Sequence, residues 1–274
     1  MTATWKHGDN MEADIRIADF ENPPLDEVIL GVQFAPPRGF QSIHTHQVWE
    51  LYRKEFPEVH EQPRLMPQFE TFGGNPQTGM QINFGSDPKG RLWFVAEDGS
   101  HLIQFQEDRL LLNWRRRDHG APYPRHERMA LLFKDFLERL SAFYKEEFQI
   151  PLAVNQAEVS YINVIPYEAP RNASEWVKLL NLSGIDAELA NAVIAETVRT
   201  ENGSAFARMI YELNTVMTVD QKKHALRLSL TFRGKPFADR IDSALDFLSD
   251  GRKRIVNRFC EMTTDQAQSA WGRK

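Results

Sequence analysis

The 274-residue chain is 42% hydrophobic and 26% charged, a balance typical of folded globular proteins that excludes disorder over most of its length. Its formal net charge of -5 gives no overall attraction to phosphate backbones or anionic lipids, since that attraction requires an excess of Lys and Arg. A single cysteine, Cys260, excludes an internal disulfide and a cysteine-rich metal site, and it fits a reducing compartment.

The N-terminal residues 1–21 are polar and charged. They lack both the apolar run of a secretory signal and a hydrophobic period, so we expect a flexible N-terminal arm. No stretch of the sequence approaches the roughly 18 apolar residues that a membrane-spanning helix needs. A cytoplasmic protein without membrane association is therefore expected.

The first predicted elements lie in residues 22–78. Prolines at positions 23 and 24 hold an extended lead-in. A half-buried strand follows, because apolar residues alternate there with polar residues or glycine; they are Val28, Leu30, Val32 and Phe34. Residues 44–56 place apolar side chains on one side of a short helix. Residues 57–78 are rich in proline and glycine, which predicts an extended excursion rather than a regular element.

The next segment predicts an antiparallel meander that ends in a long helix. Four strand patterns occupy residues 80–85, 91–97, 102–106 and 110–116, and turn-forming residues separate them. Residues 122–148 have the clearest helical period in the chain, with apolar residues three and four apart. We expect the apolar face of this helix to lie on the meander.

After Pro151 the order of elements starts again. Residues 158–165 predict a strand, a helix is expected from about Ser174, and residues 187–198 have the spacing of a further helical stretch. Strands follow at residues 206–217 and 224–233. A closing helix is expected from Asp239, its predicted N-cap, and Thr263 with Gln266 gives the capping-box pattern of a short final helix.

These elements predict an α+β protein of two sequential halves, residues 22–150 and 151–274, packed together as one compact unit. The first half has the order β-α-ββββ-α and the second β-α(α)-ββ-α. Each half is then an antiparallel sheet packed on a long C-terminal helix. The similar order predicts a pseudo-twofold relation between the halves, an interpretation that rests on element order because no residue-level repeat accompanies it.

Short motifs along the chain carry a resemblance to one protein family. They are NPPLDEV at 22–28, LIQFQ at 102–106, LNWR at 112–115, YPR at 123–125, and a C-terminal set of Phe259, Thr263, Thr264, Trp271 and Gly272. On these motifs the chain resembles a sporadically distributed family of bacterial proteins with no assigned function. The resemblance implies an architecture and no activity. Similar sequences usually carry a histidine where this chain has Arg252, which leaves the role of that position open.

A cluster of arginines and aromatic residues follows the last strand of the meander. Its candidate ligand-binding residues are Asn113, Trp114, Arg115, Arg117, Tyr123 and Arg125. Guanidinium groups bind phosphate through paired hydrogen bonds and an indole stacks on bases, so this Arg/Trp patch predicts a phosphate or nucleotide site. The alternative is that Trp114 belongs to the core face with Leu110 and Leu112, while the arginines form a solvated strand end paired with nearby acids.

Two other groups of polar residues are candidate sites. Gln104 and Gln106 alternate with apolar neighbours on a predicted strand. Gln104 is a candidate ligand contact if a second element covers that polar face, and an ordinary exposed residue if none does. His44 and His46 have a spacing that brings imidazoles together on a strand but not at the helix start predicted here. We therefore expect no metal site.

Catalytic signatures are absent from the sequence. It has no glycine-rich dinucleotide motif, no P-loop, no HExxH and no GxSxG, so we expect neither an enzyme nor a cofactor. The expected function is a binding or assembly module that presents a groove between sheet and helix to a partner protein, a second copy or a small ligand. The alternative is a nucleic-acid or nucleotide-binding component of a mobile or defence-associated system that uses the Arg/Trp patch. An unrecognised active site in the groove is a third interpretation.

Overall fold

The computed structural model describes residues 17–73, 82–83, 90–118, 120, 122–166, 173–179, 189–217 and 224–274. Within these residues the chain forms a nine-stranded antiparallel sheet, a separate two-stranded ladder and four α-helices. The predicted α+β class is therefore confirmed. No helix in the described part of the chain is both long enough and apolar enough to cross a membrane.

The first half of the chain supplies five strands of the large sheet. Its elements are β1 (Leu25–Phe34), α1 (Ser42–Glu50), β2 (Glu58–Gln62), β3 (Arg64–Leu65), β4 (Ile82–Asn83), β5 (Arg91–Val95), β6 (His101–Gln106), β7 (Arg109–Arg115) and α2 (His126–Phe148). Strands β5, β6 and β7 form the predicted meander. The predicted strand at 80–85 lies largely outside the described residues, and its β4 part pairs with β3 rather than with the meander.

The excursion predicted at 57–78 contains regular structure, so the expectation of none was wrong. β2 lies within it and pairs with β5 at the edge of the large sheet. Pro57 and Pro63 lie just outside the two ends of β2, where the missing N–H groups interrupt no hydrogen bond of the ladder. Proline therefore bounds this strand instead of excluding it.

The second half of the chain supplies the remaining strands. Its elements are β8 (Val154–Pro166), a 3₁₀ turn (Ala173–Glu175), β9 (Asn191–Arg199), β10 (Ala205–Met217), β11 (His224–Gly234), α3 (Ile241–Met262) and α4 (Asp265–Ala270). The helix expected from about Ser174 is present only as the 3₁₀ turn within the described residues. The final helix begins one residue later than predicted, because the hydroxyl of Thr264 accepts the hydrogen bond from the N–H of Ala267 at 3.1 Å.

The predicted helical stretch at 187–198 is wrong where it is described, because residues 191–199 form strand β9. β9 pairs with β10 at the edge of the sheet, and most of its side chains are exposed or half-buried on both faces. Without one buried face, an edge strand shows no alternation of period two, so its sequence does not reveal it. Pairing with β10 overrides the helical spacing.

The order of strands in the sheet is β2-β5-β6-β7-β1-β8-β11-β10-β9. β1 lies at the centre and pairs antiparallel with β7 on one side and with β8 on the other. The two halves of the chain therefore meet at the β1–β8 pair, where Val28 lies opposite Tyr161. Outward from this pair, the strands of each half follow in corresponding order. This order accords with the pseudo-twofold relation, which stays a prediction.

The main hydrophobic core lies between the sheet and the long helices. Phe133 and Phe136 of α2 and Phe247 and Leu248 of α3 are at most 4% exposed and belong to one buried cluster with alternate residues of β1. Burying each such side chain contributes about 1.5–3 kcal/mol. This packing holds α2 and α3 next to each other on one face of the sheet.

The segment after β2 crosses the opposite face of the sheet. Leu65 packs there in a small apolar cluster with Ile29, Leu111 and Ile162. Gln106 holds the same residue by its backbone, since its Oε1 accepts from the N–H of Leu65 at 2.9 Å and its Nε2 donates to the Leu65 carbonyl at 3.0 Å. The segment is therefore fixed by both apolar and polar contacts.

A buried ion-pair group anchors this segment further along. The carboxylate of Glu70 contacts the Nε atoms of Arg208 at 2.6 Å and of Arg233 at 2.7 Å. The three side chains, which we call the Glu70 brace, are between 1% and 5% exposed. The brace ties the first half of the chain to β10 and β11 of the second half.

The C-terminal end of the predicted arm is held against the fold. Residues 1–16 of that arm lie outside the described residues. Phe20 forms a β-bridge with Arg273, is 6% exposed, and packs on Phe259 and Trp271 with ring centroids 5.6 and 6.4 Å away. The backbone at Phe20 therefore forms a wall beside the second half of α3.

Candidate ligand-binding cleft

A cleft opens on the helix side of the sheet, where α2 begins. It consists of two adjoining compartments that are both open to the surface: one of about 410 Å³, which we call the outer pocket, and one of about 80 Å³ beside α3, which we call the inner cavity. Both are lined by Phe20, Pro23, Leu25, Tyr123 and Arg125. The outer pocket extends to Trp114, Arg116 and Arg117, and the inner cavity extends to His126, Tyr161 and Arg252. This Tyr123 cleft has the size of pockets that take small organic ligands, about 300–1,000 Å³.

The sequence before α2 shapes the mouth of the cleft. Pro122 and Pro124 flank Tyr123, and a residue that precedes proline is disfavoured in the helical region. Tyr123 therefore lies outside the helix, which starts at His126 after the non-helical Arg125. Tyr123 lies over Trp114, with ring centroids 5.2 Å apart. The short proline-rich segment thus presents a half-buried phenol ring to the cleft.

Arg125, the N-cap of α2, has a strained backbone. Its φ of 72° and ψ of 159° lie in a region that is almost restricted to glycine. Its guanidinium forms an exposed ion pair with Asp19 at 2.6 Å. Strain of this kind costs about 1–3 kcal/mol and is concentrated at functional sites, where the surrounding structure maintains it.

We expect Arg125→Gly to be more stable than Arg125→Ala by about 1 kcal/mol, because glycine relieves the strain and this outweighs the freedom that it adds to the unfolded chain. Both variants lose the Asp19 ion pair, so the comparison isolates the backbone. Urea unfolding of the two variants measures the difference. Equal midpoints would show that the backbone at Arg125 is unstrained.

Two tyrosine hydroxyls meet at the junction between the outer pocket and the inner cavity. The Oη atoms of Tyr123 and Tyr161 are 2.8 Å apart. Burial raises the pKa of both hydroxyls, and the positive charge of Arg252 opposes this rise in the pKa of each. Both hydroxyls are therefore protonated at neutral pH. One of them donates to the other, which leaves the second proton for another acceptor.

His126 is a buried histidine on the wall of the inner cavity. Its residue is 4% exposed, and neither ring nitrogen has a hydrogen-bond partner among the described residues. Burial, with a smaller effect from the charge of Arg252, lowers the pKa of His126 to about 4. The ring is therefore neutral at pH 7, with one nitrogen a donor and the other an acceptor. Each buried nitrogen left unpaired costs about 1–3 kcal/mol.

The lining of the cleft is cationic although the whole chain is acidic. Among the described residues, two carboxylates line it, Asp19 and Glu21, against four guanidinium groups, those of Arg116, Arg117, Arg125 and Arg252. Arg116 donates to two backbone carbonyl oxygens, those of Leu25 at 2.8 Å and Pro23 at 3.0 Å, rather than to a carboxylate. The cleft therefore concentrates positive charge, which attracts anions to it.

Four of the seven residues predicted to bind a ligand line this cleft: Trp114, Arg117, Tyr123 and Arg125. Trp114 is 3% exposed and belongs to the core with Leu110 and Leu112, which confirms the alternative interpretation of this residue. A ligand ring in the cleft would contact Tyr123 rather than the face of the indole.

The other three predicted residues, Gln104, Asn113 and Arg115, lie on the opposite face of the sheet. Side chains alternate along β7, so residues 113 and 115 point away from the side that holds Trp114. Asn113 accepts a hydrogen bond from Gln104 at 2.9 Å and donates one to Glu27 at 2.7 Å. The guanidinium of Arg115 lies over the ring of Trp93, 5.3 Å from its centroid. These residues form a separate polar network and do not share the cleft.

Sequence reasoning missed three residues of the inner cavity. His126 directly follows the YPR motif but was assigned only to a helix. Tyr161 meets Tyr123 across 38 residues of sequence, a contact that no local pattern reveals. Arg252 was singled out only through the family resemblance. The motif at 123–125 therefore indicates the position of the cleft, but the predicted site omits His126, the residue that follows the motif.

The histidines considered as metal ligands have other contacts. His44 Nδ1 accepts from the N–H of Gln41 at 2.7 Å at the start of α1, and His46 lies 3.6 Å from Glu50. Across the described ranges, no group of three or more His, Cys, Asp or Glu side chains is placed to hold a metal ion.

Comparison with known proteins leaves the chain without an identified family. No family model and no curated protein matches it. Among solved structures it is similar to the di-domain ARO/CYC StfQ from the steffimycin biosynthetic pathway, with 12% identity, coverage of 86% of this chain and 98% of that chain, and a TM-score of 0.16. A TM-score this low supports no conclusion about fold or function. The resemblance to a sporadically distributed bacterial family stays a prediction.

Proposed function

We propose that the protein is a binding module for a small organic anion, which it holds in the Tyr123 cleft. The observation that carries this proposal is the convergence of four arginines and an aromatic wall on one cleft, in a chain of net charge -5. Excess positive charge in a concave, partly apolar site favours ligands that combine a negative group with an apolar body.

The lining divides into an apolar and a charged part. Phe20, Leu25 and Tyr123 form the apolar wall that both compartments share, and they would contact the body of the ligand. Arg116 and Arg117 lie at the exposed rim of the outer pocket. Their positions suit them to attract an anion to the cleft through their positive charge.

The concave shape favours a small molecule over a polymer. Phosphate backbones are bound by basic surfaces that follow several successive phosphates, whereas the arginines here converge on a single cleft. A nucleotide belongs to the class of ligand proposed here. Binding of nucleic acid, a protein partner or a second copy of the chain stays a prediction.

Binding of matched probe molecules tests the proposal. We expect benzoate and phenyl phosphate to raise the melting temperature and to give binding heats in calorimetry, and uncharged benzamide to do neither. Arg117→Gln should weaken the binding of both anions about fivefold, equivalent to about 1 kcal/mol, the value expected for an exposed charge. Arg53→Gln removes an exposed arginine that is paired with Glu50 in the turn after α1, and it should leave the affinity unchanged.

Two results would contradict the proposal. The first is no binding of either anion by the wild-type protein, also when a mononucleotide is added to the panel. The second is equal weakening by Arg117→Gln and Arg53→Gln, which would show a general charge effect instead of a site. An oligonucleotide that binds much more tightly than the mononucleotide would support the nucleic-acid alternative.

A further inference from the structure

The inner cavity differs from the outer pocket in size and in chemistry. We propose that it is an oxyanion subsite, which takes the carboxylate or phosphate end of the ligand against His126 and Arg252. This inference rests on the proposed function of the Tyr123 cleft and names the part of the ligand that each compartment receives. The outer pocket then holds the body of the ligand, and the inner cavity holds its charge.

The inner cavity is the smaller of the two compartments. Its volume is about 80 Å³, against about 410 Å³ for the outer pocket. A carboxylate or a phosphate group needs less room than an aromatic ring or a nucleobase. The smaller compartment therefore suits the head group of a ligand, and the larger one suits its body.

The donors around the cavity match an oxyanion. His126 has an unpartnered ring N–H, and one proton of the Tyr123–Tyr161 pair remains free for donation. The guanidinium of Arg252 supplies positive charge and further N–H groups beside the one that is hydrogen-bonded to Tyr161, and its 3.3 Å ion pair is with Glu127, whose side chain is 68% exposed. Charge-assisted hydrogen bonds to an anion are about twice as strong as neutral ones.

The start of α2 adds positive electrostatic potential to the inner cavity. His126 is the first residue of this 23-residue helix, and no described side chain caps the helix start. Aligned peptide dipoles place partial positive charge at a helix N-terminus and favour anions there. A second observation, separate from the helix dipole, is the imidazole of His126. This residue is 4% exposed, and neither ring nitrogen has a hydrogen-bond partner within the described ranges. An oxyanion would give its N–H an acceptor.

Calorimetry on two cavity variants tests the subsite with benzoate and phenyl phosphate as probes. His126→Phe should weaken binding about tenfold, equivalent to about 1.4 kcal/mol. The same variant should melt about 2 °C higher in the absence of probe, because it removes buried unpaired nitrogens without changing the ring shape greatly. Arg252→Met should weaken the binding of both probes at least as much as His126→Phe does. His46→Phe, the same change at an exposed position of α1, should leave binding unchanged.

Histidine ¹⁵N NMR of the wild-type protein gives a second readout. Saturating probe should shift the ring nitrogens of His126 and raise its pKa to about 5 or higher, because a nearby negative charge favours the imidazolium. Arg252, Glu127, the tyrosine pair and the start of α2 face this ring and are present in both states. His44, on the distant helix α1, should show no shift. The probe with the larger effect identifies carboxylate or phosphate as the preferred head group.

The outcomes separate the subsite from the cleft. If the probes bind and Arg117→Gln weakens them, while His126→Phe and Arg252→Met bind as wild type and His126 gives no NMR response, the subsite is overturned and the proposed function stands. If no probe binds the wild-type protein, both fail. If His126→Phe does not fold, Arg252→Met and the wild-type NMR titration decide the question.

Discussion

Glu70→Gln is expected to lower the free energy of unfolding by about 3–5 kcal/mol, the usual cost of removing one partner from a buried ion pair. The carboxylate is 1% exposed and contacts Arg208 and Arg233 at 2.6 and 2.7 Å. A glutamine has nearly the same shape but no charge, so two guanidinium groups would stay buried with their main counter-charge removed. Urea unfolding monitored by tryptophan fluorescence measures the loss.

A matched control and a rescue distinguish charge from packing. Glu58→Gln makes the same change at an exposed position that contacts His60 at 3.5 Å, and it should cost less than about 0.5 kcal/mol. Replacing the whole Glu70 brace by the triple change Glu70→Leu, Arg208→Met and Arg233→Met should recover most of the loss, because apolar residues of similar volume remove the need for buried charges. A cost below about 1 kcal/mol for Glu70→Gln would show that the other partners satisfy the arginines without it, namely Gln68 and Glu158 for Arg233 and the Thr71 carbonyl for Arg208.

The sequence predicts the strands that have a buried apolar face and misses those that have none. The side of β11 and of β1 that lies under α2 or α3 is apolar at alternate positions, and this alternation predicts both strands. The other side of β1 is also largely buried, so β1 is not the half-buried strand that the alternation indicates. β9 has no fully buried face, and β2 is exposed along most of its length. Their positions follow from pairing with β10 and β5, a long-range contact that a local pattern does not contain.

The candidate cleft could be predicted only in part for the same reason. Tyr123, Arg125 and Arg117 are close in sequence, so one motif indicated all three. Tyr161 reaches them because β8 pairs with β1, and Arg252 because α3 packs over β8. Arg115 was wrongly grouped with its neighbour Trp114, although neighbouring residues on a strand point to opposite faces. The alternation of side chains along β7 is sufficient to separate Arg115 from Trp114.

Gly251→Ala is expected to destabilise the protein by about 2 kcal/mol, although alanine is the better helix former by about 1 kcal/mol. α3 approaches the sheet so closely at this residue that a Cβ atom would lie 2.5 Å from Cδ1 of Phe232 and 2.6 Å from Cγ1 of Val159. Overpacking of a core at these distances exceeds the gain in helix propensity. Urea unfolding measures the net cost, and Lys253→Ala, an exposed change on the same helix, should stay within about 0.5 kcal/mol of wild type.

The close approach at Gly251 has a functional consequence, because the next residue on α3 is Arg252. If the methyl group added by Gly251→Ala pushes α3 away from β8, the guanidinium moves out of the inner cavity, and the variant should bind benzoate and phenyl phosphate more weakly although the changed residue contacts neither. Combining it with Val159→Ala makes room for the added methyl group. The double variant should then be more stable than the sum of the single changes predicts, by about 1 kcal/mol, and should regain affinity. Unchanged affinity in the destabilised single variant would show that the position of Arg252 does not depend on this contact.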